Sequence, residues 1–236
     1  MLQNIDLQNV LFLDIETVPQ QPSYEEVTDE RIKKLWDHKA ERLKREEEDT
    51  PKSLYPRAGI YAEFGKVVCI SVGFFNAGEL RITSFYDHDE AKLLTDFARM
   101  LNRHYSELEH RLCAHNGKEF DFPYMARRML INGIELPALL DIAGKKPWEI
   151  KHLDTMELWK LGDYKNYTSL DLLTAIFGIP SPKDDINGAD VWRVYWQDDD
   201  LERIKTYCQK DVVSLAQLFL AYQLKPMLQE ADIVYV

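Results

Sequence analysis

The sequence predicts an α/β fold in which helices flank a central mixed β-sheet. Two observations carry this. Short apolar, β-branched runs at Val10–Leu13, Lys66–Phe75, Glu79–Tyr86 and Arg111–Ala114 have the length and composition of strands. Between and after them lie segments with helical spacing, and the order β, insertion, β, β, α, β, α, then helices indicates a layered α/β domain.

In chain order, Val10–Leu13 leads into Asp14-Ile15-Glu16 and reads as a buried strand near the edge of the core. Residues 20–24 are polar and loop-like. Residues 25–49 hold 10 acids and 7 bases in 25 positions, with Ile32, Leu35, Trp36 and Leu43 roughly on one helical face. We read this charged insertion as a long, mostly solvated helix ended by Pro51 and Pro56. Asn76-Ala77-Gly78 turns the second strand into the third as a hairpin. Asp89–Tyr105 is an amphipathic helix, with Leu93, Leu94, Phe97, Ala98 and Leu101 at the apolar spacing. Another helix is expected from about Pro123 to Ile131, stopped by Asn132-Gly133. Residues 134–151 form a connection, and 152–155 a brief strand capping a helix over 156–161. Thr168–Phe177 is a helix closed by Gly178, with Leu170, Leu172, Leu173, Ile176 and Phe177 as its apolar face. Ser181–Gly188 is a polar loop, a short helix carries Val191, Trp192 and Tyr195, and a long helix runs from Leu201 to about Tyr222.

The 236 residues suffice for one sizeable core, so we expect a single domain over 1–236 with the insertion at 25–49. No apolar run approaches the length of a membrane span, and Met1–Asn9 is too polar for a signal peptide. Cys69, Cys113 and Cys208 are odd in number and lack a CxxC pattern, which points to buried free thiols in a reducing compartment, the cytosol. A formal net charge of −11 argues against a protein that coats nucleic acid, though not against one that meets phosphate through metal ions. No GxGxxG or P-loop pattern occurs, so no nucleotide cofactor is expected.

Three groups of acids carry the chemistry. Asp14 and Glu16, two apart on a strand, project to one face. Two carboxylates that lose hydration side by side suit a hard divalent cation, although solvated acids at a strand end are an equally common pattern. His115-Asn116-Gly117-Lys118-Glu119-Phe120-Asp121 is a strand-to-helix turn, where Asp121 is either a site residue or a helix cap. Tyr207 and Asp211 share a helix face at i,i+4, and Asp211 is either turned into a site or peripheral. Asp154 and Asp171 read as structural, capping acids. His115 and His152 lack the partner spacing of a zinc site. Lys118, Arg127 and Arg128 either meet phosphates or are solvated, and Phe120 and Phe122 either stack on a base or pack in the core.

Taken together, LFLDIETVP (11–19), HNGKEFDFPYM (115–125) and YCQKDVV (207–213), with YTSLDLLTAIFGIPSPKDDINGADV (167–191), resemble the DEDD 3′–5′ exonuclease superfamily in its tyrosine subgroup. The chain is most similar to predicted exonucleases related to the proofreading domain of family-B DNA polymerases. The charged insertion departs from that pattern, and no polymerase domain follows. The resemblance implies a ribonuclease-H-like three-layer domain. It also implies a two-metal-ion hydrolysis of phosphodiester bonds at the 3′ end of a nucleic acid, expected to be single-stranded or frayed DNA, releasing nucleoside 5′-monophosphates. Asp14, Glu16, Asp121 and Asp211 would hold two Mg²⁺ or Mn²⁺ ions, with Asp14 bridging both and Tyr207 beside the attacking water. Thr17, His115, Asn116 and Phe120 are the expected substrate contacts. A replication or repair protein is a conceivable partner. The alternative is a catalytically silent nucleic-acid-binding or protein-interaction domain of the same fold. A phosphatase with an aspartyl nucleophile is disfavoured because Glu16 stands where a second Asp is needed.

Overall fold

A computed structural model describes residues 2–163, 167–180 and 186–236. Its strands are β1 (Val10–Pro19), β2 (Gly65–Asn76), β3 (Glu79–Tyr86), β4 (Arg111–Ala114), β5 (Leu153–Asp154) and β6 (Ile233–Tyr235). The helices are α1 (Glu30–Glu41), α2 (Pro51–Leu54), α3 (Glu90–His104), α4 (Asp121–Ile131), α5 (Thr155–Lys160), α6 (Leu170–Phe177), α7 (Val191–Trp196) and α8 (Leu201–Tyr222). The strands form one mixed sheet in the order β5-β4-β1-β2-β3-β6. β1, β2 and β3 pair antiparallel, whereas β4 and β5 run parallel to β1 on its other side.

β1 therefore lies inside the sheet, which is why both of its faces are apolar. Leu11, Leu13 and Ile15 pack with α3 and α4, through Leu94, Phe97, Phe122 and Met125. Val10 and Phe12 point the other way, into a cluster with Val212, Leu215 and Phe219 of α8. Helices thus cover both faces, giving the three layers expected of the chain. Strand alternation carries Asp14 and Glu16 on from Phe12, so both carboxylates face α8. That helix approaches closely at Gly73, where an added Cβ would lie 2.8 Å from Val212 Cγ1.

Several boundaries differ from the sequence reading. α1 stops at Glu41, well short of residue 49, because the next eight residues are nearly all charged and offer no apolar face. There Asp49 instead accepts the Arg45 and Glu46 N–H groups in a turn. Only Trp36 and Ala40 of α1 are buried, in a small cluster with Tyr55 and Ala58, while Ile32 and Leu35 are exposed. α6 buries Leu173 but leaves Leu172 and Ile176 largely in solvent. α4 begins two residues earlier than expected, at Asp121. The C-terminal strand β6, parallel to β3, was not anticipated. Of the polar loop expected at Ser181–Gly188, residues 181–185 lie outside the described residues. Among the described residues no helix is long and apolar enough to cross a membrane.

Candidate active site

The site forms where β1, β4 and β5, all parallel, reach their carboxyl ends, a usual position for functional groups in α/β sheets. β1 brings Asp14 and Glu16. The turn after β4 brings Asp121, and α8 brings Tyr207 and Asp211.

Asp121 is 4% exposed, and its carboxylate accepts the main-chain N–H of Ile15, the residue between Asp14 and Glu16. It also accepts its own N–H, while the residue preceding α4, Phe120, makes no side-chain cap. Asp121 is therefore tied to β1 rather than acting as a simple helix cap. Burial is the main force that pushes its carboxyl up to about 7, and the charge of Asp154 adds to the rise.

Asp14 and Glu16 are shifted in the same direction. Burial holds the Asp14 carboxyl well above its ordinary value, followed by the charges of Asp211 and Asp121. For Glu16 burial again leads, then Asp14 and Asp211. Asp14 and Glu16 thus both feel Asp211 and Asp121 as like charges in a poorly hydrated pocket. Tyr207 donates its hydroxyl to Asp211, and burial with the charges of Asp211, Glu16 and Asp14 drives the phenol far above its usual range. It stays protonated at any physiological pH, so it orients neighbours rather than serving as a base.

Cys208 is the site residue that sequence reasoning missed. Its thiol donates to the main-chain oxygen of Asp14 at 3.4 Å and to Asp14 Oδ2 at 3.4 Å. A carboxylate oxygen from each of Asp14 and Glu16 and the Cys208 sulfur lie within 4.8 Å of one another. Asp121 and Asp211 stand outside that group but within electrostatic reach of it. The helical i,i+3 spacing of Cys208 and Asp211 was available in the sequence, but an apolar flank made Cys208 read as core.

The expected substrate contacts have varied surroundings. His115 has both ring nitrogens engaged, Nδ1 with Thr155 Oγ1 at 2.8 Å and Nε2 with the Thr168 carbonyl at 2.9 Å, and burial lowers its pKa. Thr17 hydrogen-bonds the hydroxyl of Tyr124. Phe120 is half-buried, its ring 5.3 Å from that of Tyr124. Asn116 adopts a left-handed φ of 62°, and its Oδ1 is buried with no hydrogen-bond partner. Phe122 is fully buried and packs edge-on to His152. Arg128 is also buried, in an ion pair with Glu90 at 2.5 Å, so it meets no phosphate.

The turn itself hangs on Asp154. This 2%-exposed carboxylate accepts four main-chain N–H groups. Those of Asn116 (3.0 Å), Met156 (3.0 Å) and Glu157 (3.2 Å) reach Oδ1, and that of Lys118 (3.1 Å) reaches Oδ2. It caps α5 as the sequence suggested and also fixes the turn that delivers Asp121. His152 accepts the Leu112 N–H at Nδ1 and bonds the Leu139 carbonyl through Nε2, so it is a neutral structural group.

The donor set suits a divalent cation. Burial and like charge strongly raise the proton affinity of Asp14 and Glu16, hard oxygen ligands match Mg²⁺ or Mn²⁺, and the Cys208 thiol is itself held protonated by burial.

Two solved structures are similar to this chain. A family B DNA polymerase from the hyperthermophilic archaeon Pyrobaculum calidifontis shares 16% identity over 90% of this chain, with a TM-score of 0.49. The match spans only 24% of the polymerase. The RNase domain of the yeast Pop2 protein shares 11% identity over 94% of this chain and 80% of its own, with a TM-score of 0.43. Residues 60–233 match a family model described as a predicted 3′–5′ exonuclease related to the exonuclease domain of PolB. The matched segment contains Asp121, Tyr207 and Asp211, whereas Asp14 and Glu16 precede it. The chain belongs to this family of predicted 3′–5′ exonucleases related to the exonuclease domain of PolB.

Proposed function

We propose that the protein is a divalent-metal-dependent 3′–5′ exonuclease that hydrolyses the terminal phosphodiester bond of single-stranded or frayed DNA and releases nucleoside 5′-monophosphates. One observation supports the reading: Asp14 and Glu16, side by side at the end of β1, both carry the like charge of Asp121 and Asp211 in a poorly hydrated pocket beside Tyr207. Such a cluster is costly unless a cation neutralises it.

In this reading Asp14, Glu16, Asp121 and Asp211 hold two Mg²⁺ or Mn²⁺ ions. Bound there, two divalent ions supply the Lewis acidity that an in-line phosphodiester displacement requires. The chain supplies the rest. The Ile15 N–H aims the Asp121 carboxylate, the Cys208 thiol fixes that of Asp14, and the Tyr207 hydroxyl positions the attacking water through its fixed bond to Asp211.

The test is a 5′-labelled single-stranded oligodeoxynucleotide incubated with Mg²⁺ or Mn²⁺. Shortening from the 3′ end is expected, stopped by EDTA. It should fall roughly 10³-fold in Asp14→Ala, since losing several kcal/mol of transition-state stabilisation costs a factor of ten per 1.36 kcal/mol. Binding without shortening would instead identify a silent domain of the same fold, and shortening unchanged in Asp14→Ala would refute the assignment of the site.

A further inference from the structure

The segment between β1 and β2, which includes the charged insertion, holds a cleft of about 260 Å³ that shares no residue with the acid site. Its floor is aromatic. Trp36 of α1 and Tyr55 are buried and Phe64 is half-buried, and the Trp36 ring packs edge-on against the other two, at 5.6 and 5.3 Å. Its rim is acidic. Asp29, at the start of α1, and Glu63, just before β2, are exposed, and no Lys, Arg or His lines the cleft. Asp29 uses only Oδ1 to cap α1, accepting the Arg31 and Ile32 N–H groups at 2.8 and 3.1 Å. Its Oδ2 and the Glu63 carboxylate have no hydrogen bond or ion pair among the described residues. The walls are fixed by bonds of their own. Trp36 Nε1–H donates to the Pro51 carbonyl at 2.8 Å, Gln20 Nε2–H to that of Gly65 at 3.1 Å, and the Gln21 N–H to the Tyr55 hydroxyl.

The same aromatic cluster already draws cations where the chain supplies them. The Lys33 ammonium stands 4.7 Å from the centre of the Tyr24 ring and that of Lys39 4.1 Å from Tyr61, both rings packed against the cluster from outside. The remaining bases nearby are turned elsewhere. Lys52 pairs with Glu25 at 2.6 Å, and Arg31, Lys34 and His38 line a different groove of α1. The inner wall of the cluster therefore has rings and carboxylates but no cation of its own.

Aromatic rings attract a cation through their negative faces, most strongly where water is excluded. Carboxylates at the mouth add to that attraction and repel anions. We propose that this cleft binds a small organic cation, an alkylammonium or alkylguanidinium compound. Its aliphatic stem lies on Val27 and Ile32, and its charge sits between the aromatic floor and the carboxylates of Asp29 and Glu63. Most of the cleft precedes the residues that match the family model, so the inference does not rest on the exonuclease reading.

The test is a titration of the full chain with butylguanidinium chloride in EDTA, followed in proton–nitrogen correlation spectra. The Trp36 indole cross-peak is one of five in the chain and is identified by its loss in Trp36→Phe. It should shift saturably, with a dissociation constant on the order of 1 mM for so small a ligand. Butylurea, the neutral isostere, should leave that peak in place. Glu63→Gln removes a carboxylate that holds nothing else, and Asp29→Asn keeps the α1 cap. Each should weaken binding severalfold, and the two together roughly tenfold, as two exposed ion pairs allow. Asp14→Asn should bind butylguanidinium at Trp36 as the wild type does, which separates this site from the acid cluster. No shift, an equal shift with butylurea, or unchanged affinity in the double variant would overturn the proposal. So would much tighter binding of a blocked alanine-arginine-alanine peptide, which would make the occupant a side chain of another protein.

Discussion

Without divalent cations, the protein should lose stability as pH rises, opposite to the usual behaviour of carboxylates. The Asp121 carboxyl titrates near pH 7 in the folded chain against an ordinary value of 3.8, chiefly because it is buried. Between about pH 4 and 7 the folded state therefore holds a proton that the unfolded state has released. Stability falls with pH wherever the folded state binds more protons. Asp121 costs least below pH 4, where both states are protonated, and its full cost is reached above pH 7. At 1.36 kcal/mol for each pH unit of that window, ionising Asp121 in the folded chain costs something on the order of 4 kcal/mol. For a domain of this size that corresponds to roughly 8–16 °C in melting midpoint. Asp14 and Glu16 are raised in the same direction and add to the effect.

Thermal melts in EDTA at pH 5, 6, 7 and 8, for the wild type and for Asp121→Asn, isolate this contribution as a difference between two profiles. Asn keeps the shape but has no proton to lose, so the wild type should lose ground against it as pH rises. Mn²⁺ binds the ionised carboxylates, so the stabilisation it gives should be larger at pH 8 than at pH 5. A difference profile flat between pH 5 and 7, or a Mn²⁺ effect independent of pH, would refute the account of a buried cluster of like-charged acids.

Other perturbations probe the parts that hold the site. Arg128→Ala should destabilise by about 3–5 kcal/mol in urea unfolding, because Glu90 is left buried without its counter-ion. Glu90 would keep only the Val67 N–H and the Asn132 amide. Asp154→Asn preserves Oδ1, which serves three N–H groups, and should cost about 1–2 kcal/mol; Asp154→Ala strips all four and should cost about 2–4 kcal/mol. Both changes should lower metal affinity, read by calorimetry, if the turn delivers Asp121. Gly117→Ala would put a Cβ 2.4 Å from that of Ala114 and 2.9 Å from Phe122 Cζ, and should cost about 1–3 kcal/mol in the same unfolding assay.

The parts of this molecule that repeat locally were legible in the sequence. Apolar runs marked β1 to β4, and Asp89, Asn132 and Gly178 marked helix ends where the chain indeed starts or stops its helices. Asp14 and Glu16 could be paired from strand alternation alone. What depended on distant partners was not legible. β6 is three residues long and exists because it lies beside β3, more than 140 positions earlier. The insertion looked like one long helix because charge pairs at helical spacing continue past Glu41, but within α1 only Trp36 and Ala40 are buried. Nor does anything local around His115 reveal Thr155 and the Thr168 carbonyl on either side of its ring, 40 and 53 positions away.

The same distinction explains why Cys208 went unnoticed and what it contributes. Under α8 a polar seam crosses the apolar face of the sheet. Gln209 donates to Ser84 at 3.0 Å, Ser84 and Ser71 share a hydrogen bond at 2.9 Å, and the Ser71 hydroxyl lies 3.7 Å from the Cys69 sulfur. The Cys208 thiol then links that seam to Asp14. Strand register alone sets Ser71 opposite Asp14 and Cys69 opposite Glu16. Apolar packing on its own would tolerate a helix turned or slid by a fraction of a residue, whereas the Gln209–Ser84 and Cys208–Asp14 hydrogen bonds, which cross from α8 to the sheet, are lost if α8 moves. The seam therefore fixes the rotation of α8, and with it the face on which Tyr207 and Asp211 stand one turn apart. Small polar residues scattered at 69, 71, 84, 208 and 209 carry no periodic signal, yet they set the geometry on which the acid cluster depends.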